Sequence, residues 1–177
     1  MKQNRLILVD GSGYIFRAFY ALPPMTRNDG TPVNAVFGFT SMLLKLSEDM
    51  EGENILVVFD AARNTFRNKI YQDYKANRSD PPDELVPQFS LIRDATEAIG
   101  LKSLEVAEYE ADDIIATYAK FAVKQNIETV IISSDKDLMQ LIQSGVSLYD
   151  PMKNIPIGAD GVLEKFGVTP DKVVDVQ

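Results

Sequence analysis

The 177-residue chain contains no cysteine and no histidine. The first absence excludes disulfides, thiolate zinc sites and cysteine nucleophiles, and fits a reducing compartment. The second removes serine-histidine hydrolases, imidazole-ligated zinc and every histidine general base. Hydrolytic chemistry is thereby confined to carboxylates, lysine, tyrosine, hydroxyls or a hard cation held by oxygen. A long apolar run is missing as well: after Met1-Lys2-Gln3-Asn4-Arg5 the first such run stops at Asp10, too short for a signal-peptide core or a membrane span. A soluble cytoplasmic protein without a membrane partner is expected. Cations are the minority, 18 Lys and Arg against 26 Asp and Glu for a net charge of -8. That balance weighs against nucleic acid as a partner, because phosphate binders carry a basic footprint. Where the acids sit decides whether the objection holds.

What is present suits one globular domain over residues 1–177, with 45% hydrophobic and 25% charged residues. Apolar runs end in an acid or a hydroxyl: Arg5 to Val9, Asn54 to Phe59, and Thr129 to Ser133. Uninterrupted aliphatic runs suit parallel strands buried on both faces. Helical periodicity falls between them, over Val36 to Met50, Asp83 to Ile99 and Glu110 to Gln125. The second of these has Pro81 and Pro82 near its start, Asp80 as a candidate cap, and Gly100 just past its end. Lys102 to Val106 and Val146 to Tyr149 are weaker strand candidates, and Ala159 to Phe166 reads as a short helix closed by Gly167. The βαβα order predicts a three-layer α/β/α sandwich on a mostly parallel sheet.

One stretch departs from both patterns. Arg63, Arg67, Lys69, Lys75 and Arg78 face a single acid, Asp73, giving +4 between residues 63 and 78, with Tyr71 and Tyr74 interleaved. Such a segment is suited to hold a phosphate backbone and stack on a base. The competing reading is a solvated helical face with Phe66, Ile70 and Tyr74 packed inward.

Asp10, Asp60 and Asp135 each fall at or just beyond the carboxyl end of an expected strand, and Glu110, Asp112 and Asp113 open a helix that follows another. Asp137 lies two residues beyond Asp135. Singly, each could be an ordinary helix N-cap. Together they would share the sheet edge where α/β proteins bind ligands. Two bare carboxylates 4 Å apart repel by roughly 4 kcal/mol at an effective dielectric of 20, so a converging set requires protonation or bound cations. Oxygen-only donors favour magnesium or manganese, and two such ions suit in-line phosphoryl displacement. Acidity neutralised in this way would leave the basic segment to meet DNA.

Competing motifs are weak. Gly11-Ser12-Gly13 opens like a dinucleotide fingerprint, but Phe16 replaces the third glycine. Ser12 stands where a haloacid-type phosphatase would carry a second acid, and a Walker loop is absent. The glycine pair reads as a tight turn beside Asp10. Gly38, inside a helical stretch, calls for a packing or close-approach reason.

Six strings, in order, resemble the motifs of the 5′-3′ exonuclease domains of bacterial DNA polymerases I, in the flap endonuclease and PIN-like nuclease family. They are Leu8-Val9-Asp10-Gly11 with Phe16-Arg17-Ala18-Phe19-Tyr20-Ala21, Asn34-Ala35-Val36-Phe37-Gly38-Phe39, Val58-Phe59-Asp60, Tyr74-Lys75-Ala76-Asn77-Arg78, Tyr109-Glu110-Ala111-Asp112-Asp113, and Ser134-Asp135-Lys136-Asp137-Leu138. The resemblance implies two Mg²⁺ or Mn²⁺ sites and cleavage of 5′ ends, 5′ flaps and RNA primers on duplex DNA in the bacterial cytoplasm. It assigns Asp10, Asp60, Glu110, Asp112, Asp113, Asp135 and Asp137 as direct or water-mediated metal ligands. Tyr74, Lys75 and Arg78 match a helical arch, in which the tyrosine stacks on a base and the cations meet the scissile phosphate. Arg17 matches a basic position that contacts phosphate.

The family pattern continues beyond the segment matching Val168-Thr169-Pro170-Asp171 into two further Asp ligands and a helical hairpin, and a polymerase region is the expected continuation. A nuclease truncated before those ligands is therefore expected. The rival readings are a nucleic-acid-binding module with idle acids and a metal-dependent phosphatase of small esters. A small ester would not need the basic, aromatic segment.

Overall fold

The computed structural model describes residues 5–50, 53–61, 65–77 and 79–176. In chain order its elements are β1 (Leu6–Asp10), α1 (Gly11–Ala21), α2 (Asn34–Asp49), β2 (Asn54–Val58), α3 (Phe66–Ile70), α4 (Gln88–Ala98) and β3 (Lys102–Leu104). There follow α5 (Ala111–Lys124), β4 (Thr129–Ile132), β5 (Val146–Asp150), β6 (Ile155–Ile157), α6 (Ala159–Phe166) and α7 (Val173–Val176). Among the described residues the strands form a six-stranded sheet in the order β3-β2-β1-β4-β5-β6. All pairings are parallel except β5 with β6.

The layers follow from the period of two along each strand. Leu8, Val58, Ile131 and Leu148 point to one face, where Ile114, Ile115 and Ala119 of α5 cover them. Their neighbours Ile7, Val9, Val57 and Ile132 point to the other, under Tyr14, Ile15 and Ala18 of α1, Phe39 and Leu43 of α2, and Ile92 of α4. This is the expected three-layer α/β/α sandwich. No helix among the described residues is long and apolar enough to cross a membrane.

Several boundaries differ from the sequence reading. Gly11-Ser12-Gly13 does not form a separate turn; α1 begins at Gly11, with Asp10 as its cap accepting the Gly13 N–H. Two glycines of low helix propensity hide the apolar spacing of Tyr14, Ile15 and Ala18. Gly11 is needed for space, since a Cβ there would lie 2.6 Å from the Phe59 ring and 2.8 Å from the Val58 carbonyl oxygen. Gly38 likewise serves a close approach: its Cβ would meet Ala18 Cβ at 3.1 Å, where α2 crosses α1.

The helix expected from Asp83 starts only at Gln88, after turns in which the Leu85 and Val86 N–H groups reach the Pro82 carbonyl. Pro87 explains the delay, because a proline restricts the residue before it and donates no N–H. Helix α2 starts two residues earlier than expected, at Asn34, because Gln88 reaches across from α4 to cap it. Gln88 Oε1 accepts the Ala35 and Val36 N–H groups at 2.8 and 3.1 Å, and its amide donates to Asn34 Oδ1 at 2.9 Å. The unexpected β6 carries Pro156 at the sheet edge, where a missing N–H is tolerated. Gly100 and Gly167 stop their helices as expected, in the left-handed conformation with φ of 83° and 72°.

Candidate functional site

The carboxyl ends of β1, β2 and β4 lie side by side in the sheet and deliver Asp10, Asp60 and Asp135 to one edge. The start of α5 adds Asp112. Burial is the main cause that raises the Asp10 pKa, and the charges of Asp60 and Asp135 add to it, whereas the Gly13 N–H and the Ser133 hydroxyl oppose it. Asp112 is pushed up to about 7, again by burial first and then by Asp10, Asp135 and Asp60, with Lys75 opposing. These four acids therefore sense one another as a repelling set.

The other three acids of the sequence reading are placed differently. Glu110, 8% exposed, accepts Lys75 Nζ at 2.8 Å and the Tyr74 hydroxyl at 3.2 Å, with Arg67 at 3.6 Å. Asp113 is held by Arg67 and also accepts the Glu110 N–H at 3.1 Å, which starts α5. The hydrogen bonds of Arg67 hold the Asp113 carboxyl below its usual range, and Arg67 is itself raised. Asp137 is exposed at the head of a short 3-10 helix and gives its N–H to Asp135 Oδ1 at 2.9 Å.

The basic segment thus folds down onto the acids through α3 and the turns after it. Among its described residues only Phe66 to Ile70 is helical, and Ile70 is 79% exposed, so the inward-packed helical face is not formed there. Lys69 pairs with Glu108. Lys75 takes a left-handed backbone with φ of 57°, a conformation that lysine adopts at a cost. Arg63 and Arg78 lie outside the described residues. Arg17 is half-buried on α1, near enough to Tyr14 to oppose the burial that pushes its phenol up to about 12.

Between this segment and the body lies a cavity of about 800 Å³, with Phe16, Tyr74, Lys75 and Arg93 on its walls and Asp60 and Glu110 at its margin. Arg93 was not foreseen from sequence. Its guanidinium lies over the Phe59 ring and donates to the Asp60 carbonyl at 3.0 Å. Ser12 and Ser133 were also missed, although Ser12 donates to Asp60 at 2.5 Å and Ser133 to Asp10 at 2.8 Å. A hydroxyl within two residues of a strand-end acid was the available signal.

Among the described residues no three acids stand close enough to hold one ion alone. The donor set nevertheless fits hard divalent cations. It is all oxygen and partly buried, and burial together with the neighbouring acids raises the pKa of Asp10 and Asp112, a cost that a cation would relieve. Asp10, Asp60, Asp112 and Asp135 are the residues that would supply the carboxylate ligands, with water completing the shell of each ion.

Comparison with known proteins bears on the family and the fold. The DNA polymerase I of Rhizobium leguminosarum is 52% identical over 184 residues, covering 99% of this chain and 18% of that protein. The 5′-3′ exonuclease of Aquifex aeolicus is 40% identical over 170 residues, covering 96% of this chain and 59% of that one. The chain thus spans about a fifth of the polymerase relative. A flap endonuclease of bacteriophage T5, solved with DNA and metal ions, superposes with a TM-score of 0.69 at 22% identity, covering 93% of this chain and 61% of that one. At that identity the likeness speaks to the fold. Residues 5–167 match the model of the 5′-3′ exonuclease N-terminal resolvase-like domain, and the chain belongs to that family.

Proposed function

We propose that this chain is a metal-dependent nuclease module that hydrolyses phosphodiester bonds in DNA from 5′ ends and at 5′ flaps, including RNA-primed duplex. The observation that carries the reading is the convergence of Asp10, Asp60, Asp112 and Asp135 on one sheet edge, beside a cavity walled by Tyr74 and Lys75. Magnesium or manganese held there would supply Lewis acidity for attack on phosphorus. Tyr74 offers a stacking face, and Lys75, with Arg17, Arg67 and Arg78, offers positive charge for the phosphates. Ion pairing of Lys75 with Glu110 keeps that charge at the edge of the acidic set. The basic, aromatic segment that walls the cavity is a feature a small phosphoester would not need, which favours a polymer over a phosphatase substrate. The module is proposed to act in replication and repair in the bacterial cytoplasm, joined to a polymerase region as in its polymerase relatives.

The test is single-turnover cleavage of 5′-flap and 3′-flap duplexes in magnesium, manganese and excess chelator. Cleavage of the 5′ flap alone, abolished by chelator and by Asp10→Ala, is expected. Equal cleavage of a small aryl phosphate with the DNA left intact would replace this reading by the phosphatase one.

A further inference from the structure

Asp10 and Asp60 are each gripped twice, by the same two kinds of group. A backbone N–H takes one oxygen: Gly13 donates to Asp10 Oδ1 at 3.1 Å and Ala111 to Asp60 Oδ1 at 2.7 Å. A serine hydroxyl takes the other: Ser133 donates to Asp10 Oδ2 at 2.8 Å and Ser12 to Asp60 Oδ2 at 2.5 Å. The hydroxyl bonds cross between elements. Ser12, on α1 after β1, holds the acid that follows β2, while Ser133, just past β4, holds the acid of β1. The three strand ends are tied in the spatial order β4, β1, β2.

The sense of one bond is fixed by a third group. Ser133 Oγ accepts the Asp135 N–H at 2.9 Å, so its own proton is directed to Asp10. Ser133 is only 2% exposed, which removes water as a competing partner. A carboxylate oxygen that accepts one hydrogen bond keeps a second lone pair for a cation. The arrangement therefore fixes the side-chain rotation of two acids without using up their capacity as ligands.

We propose that Ser133 and Ser12 are positioning residues of the metal centre, holding the Asp10 and Asp60 carboxylates in the orientation that divalent ions require. The proposal rests on the metal-dependent reading above. Neither serine touches substrate in this role; each acts through its acid. Hydrogen-bond partners behind metal ligands are typically worth 10–100-fold in metal affinity, and that is the scale expected here.

The experiment is calorimetric titration of manganese into the DNA-free chain, for wild type, Ser133→Ala, Ser133→Thr, Ser12→Ala and Ser12→Thr, with metal-free melting temperatures measured in parallel. The alanine variants should bind manganese about 10-fold more weakly or worse, at metal-free melting temperatures close to wild type, and the threonine variants should recover most of the affinity because the hydroxyl is kept. Wild-type affinity in both alanine variants would overturn the proposal. So would affinity losses that track loss of melting temperature and are not recovered by threonine, since that is the pattern of packing alone. If one alanine variant fails to fold, the other decides, because the two serines hold different acids. A wild-type chain that takes up no manganese would overturn the metal reading itself, a result distinguishable from tight binding that is indifferent to the serines.

Discussion

The guanidinium of Arg67 spans both carboxylate oxygens of Asp113, with each N–O separation at 2.7 Å. Two parallel bonds of this kind fix orientation as well as distance. Because Asp113 also accepts the Glu110 N–H, the carboxylate that starts α5 anchors the basic segment to the acidic edge. Arg67 depresses the Asp113 pKa, so the pair contributes stability above the unfolded value near 4 and loses it as pH falls through the folded value. Both side chains are partly exposed, at 30% and 22%, so the coupling is expected to be modest. A double-mutant cycle of Arg67→Ala and Asp113→Ala, read by urea melts, should give about 0.5–1 kcal/mol at pH 7. The coupling should decline as pH falls below about 4 through the lowered folded value; a coupling indifferent to acid would contradict the ion pair.

Asp112 has the opposite sign. Its pKa of about 7 in the folded chain, against 3.8 ordinarily, means that folding favours its protonated form. Without metal, stability should therefore fall as pH rises from about 4 to about 7 and level off above, by at most about 4 kcal/mol. Asp112→Asn should flatten that decline in thermal melts across the same range. Millimolar manganese should reverse it in wild type, raising the melting temperature most above pH 7, where the acids are ionised and only the folded state assembles them. An equal shift in Asp112→Asn would remove Asp112 from the site.

The fold and one part of the site were legible because they rest on local patterns. Alternation of Leu8 and Val9, or of Ile131 and Ile132, sorts side chains to the two faces of the sheet, and acids at strand ends mark its functional edge. What stayed hidden depends on contacts between residues far apart in sequence. Gln88 caps α2 across 53 positions, which sets the Asn34 start. Ser133 reaches Asp10 across 123. The separation of Glu110 and Asp113, paired with cations, from the repelling four required knowing that residues 67–75 fold back on them, 35 to 46 positions away. Helix α1 was obscured for a local reason, since Gly11 and Gly13 are chosen for contact with Phe59 and Asp10 at the expense of helix propensity.

Gly38 offers a test of the α1 and α2 crossing. A methyl group there would sit 2.9 Å from Leu22 Cδ1 and 3.1 Å from Ala18 Cβ, and Ala18 is fully packed at 2% exposure. The leucine tip can move, but the alanine cannot without separating the helices. Gly38→Ala should therefore destabilise by about 1–3 kcal/mol despite the gain in helix propensity, measured by denaturant unfolding. Gly38→Ala paired with Ala18→Gly should recover part of the loss. A stabilised single variant would show that the crossing has slack.

Lys75 and Tyr74 share one acceptor, Glu110, with Nζ at 2.8 Å and the tyrosine hydroxyl at 3.2 Å. A side chain that pairs with a carboxylate in the free protein must give up that contact to meet a phosphate, so Glu110 competes with DNA for both residues. Removing the competitor and removing the contact should then act in opposite directions. Glu110→Gln, measured in chelator so that metal binding plays no part, should tighten binding to a 5′ single-stranded overhang, because the amide weakens the hold on the lysine. Lys75→Ala should weaken binding and reduce the slope of log affinity against log salt by about one unit, the signature of a lost phosphate contact. Tyr74→Ala should cost about 1–3 kcal/mol on single-stranded DNA with the salt slope unchanged, because stacking releases no counterions. In the Glu110→Gln background the loss on Lys75→Ala should be larger than in wild type, since the lysine then gives up a weaker contact to meet DNA. Equal losses in the two backgrounds would mean that the ion pair and the phosphate contact are independent, and the competition argument would fail.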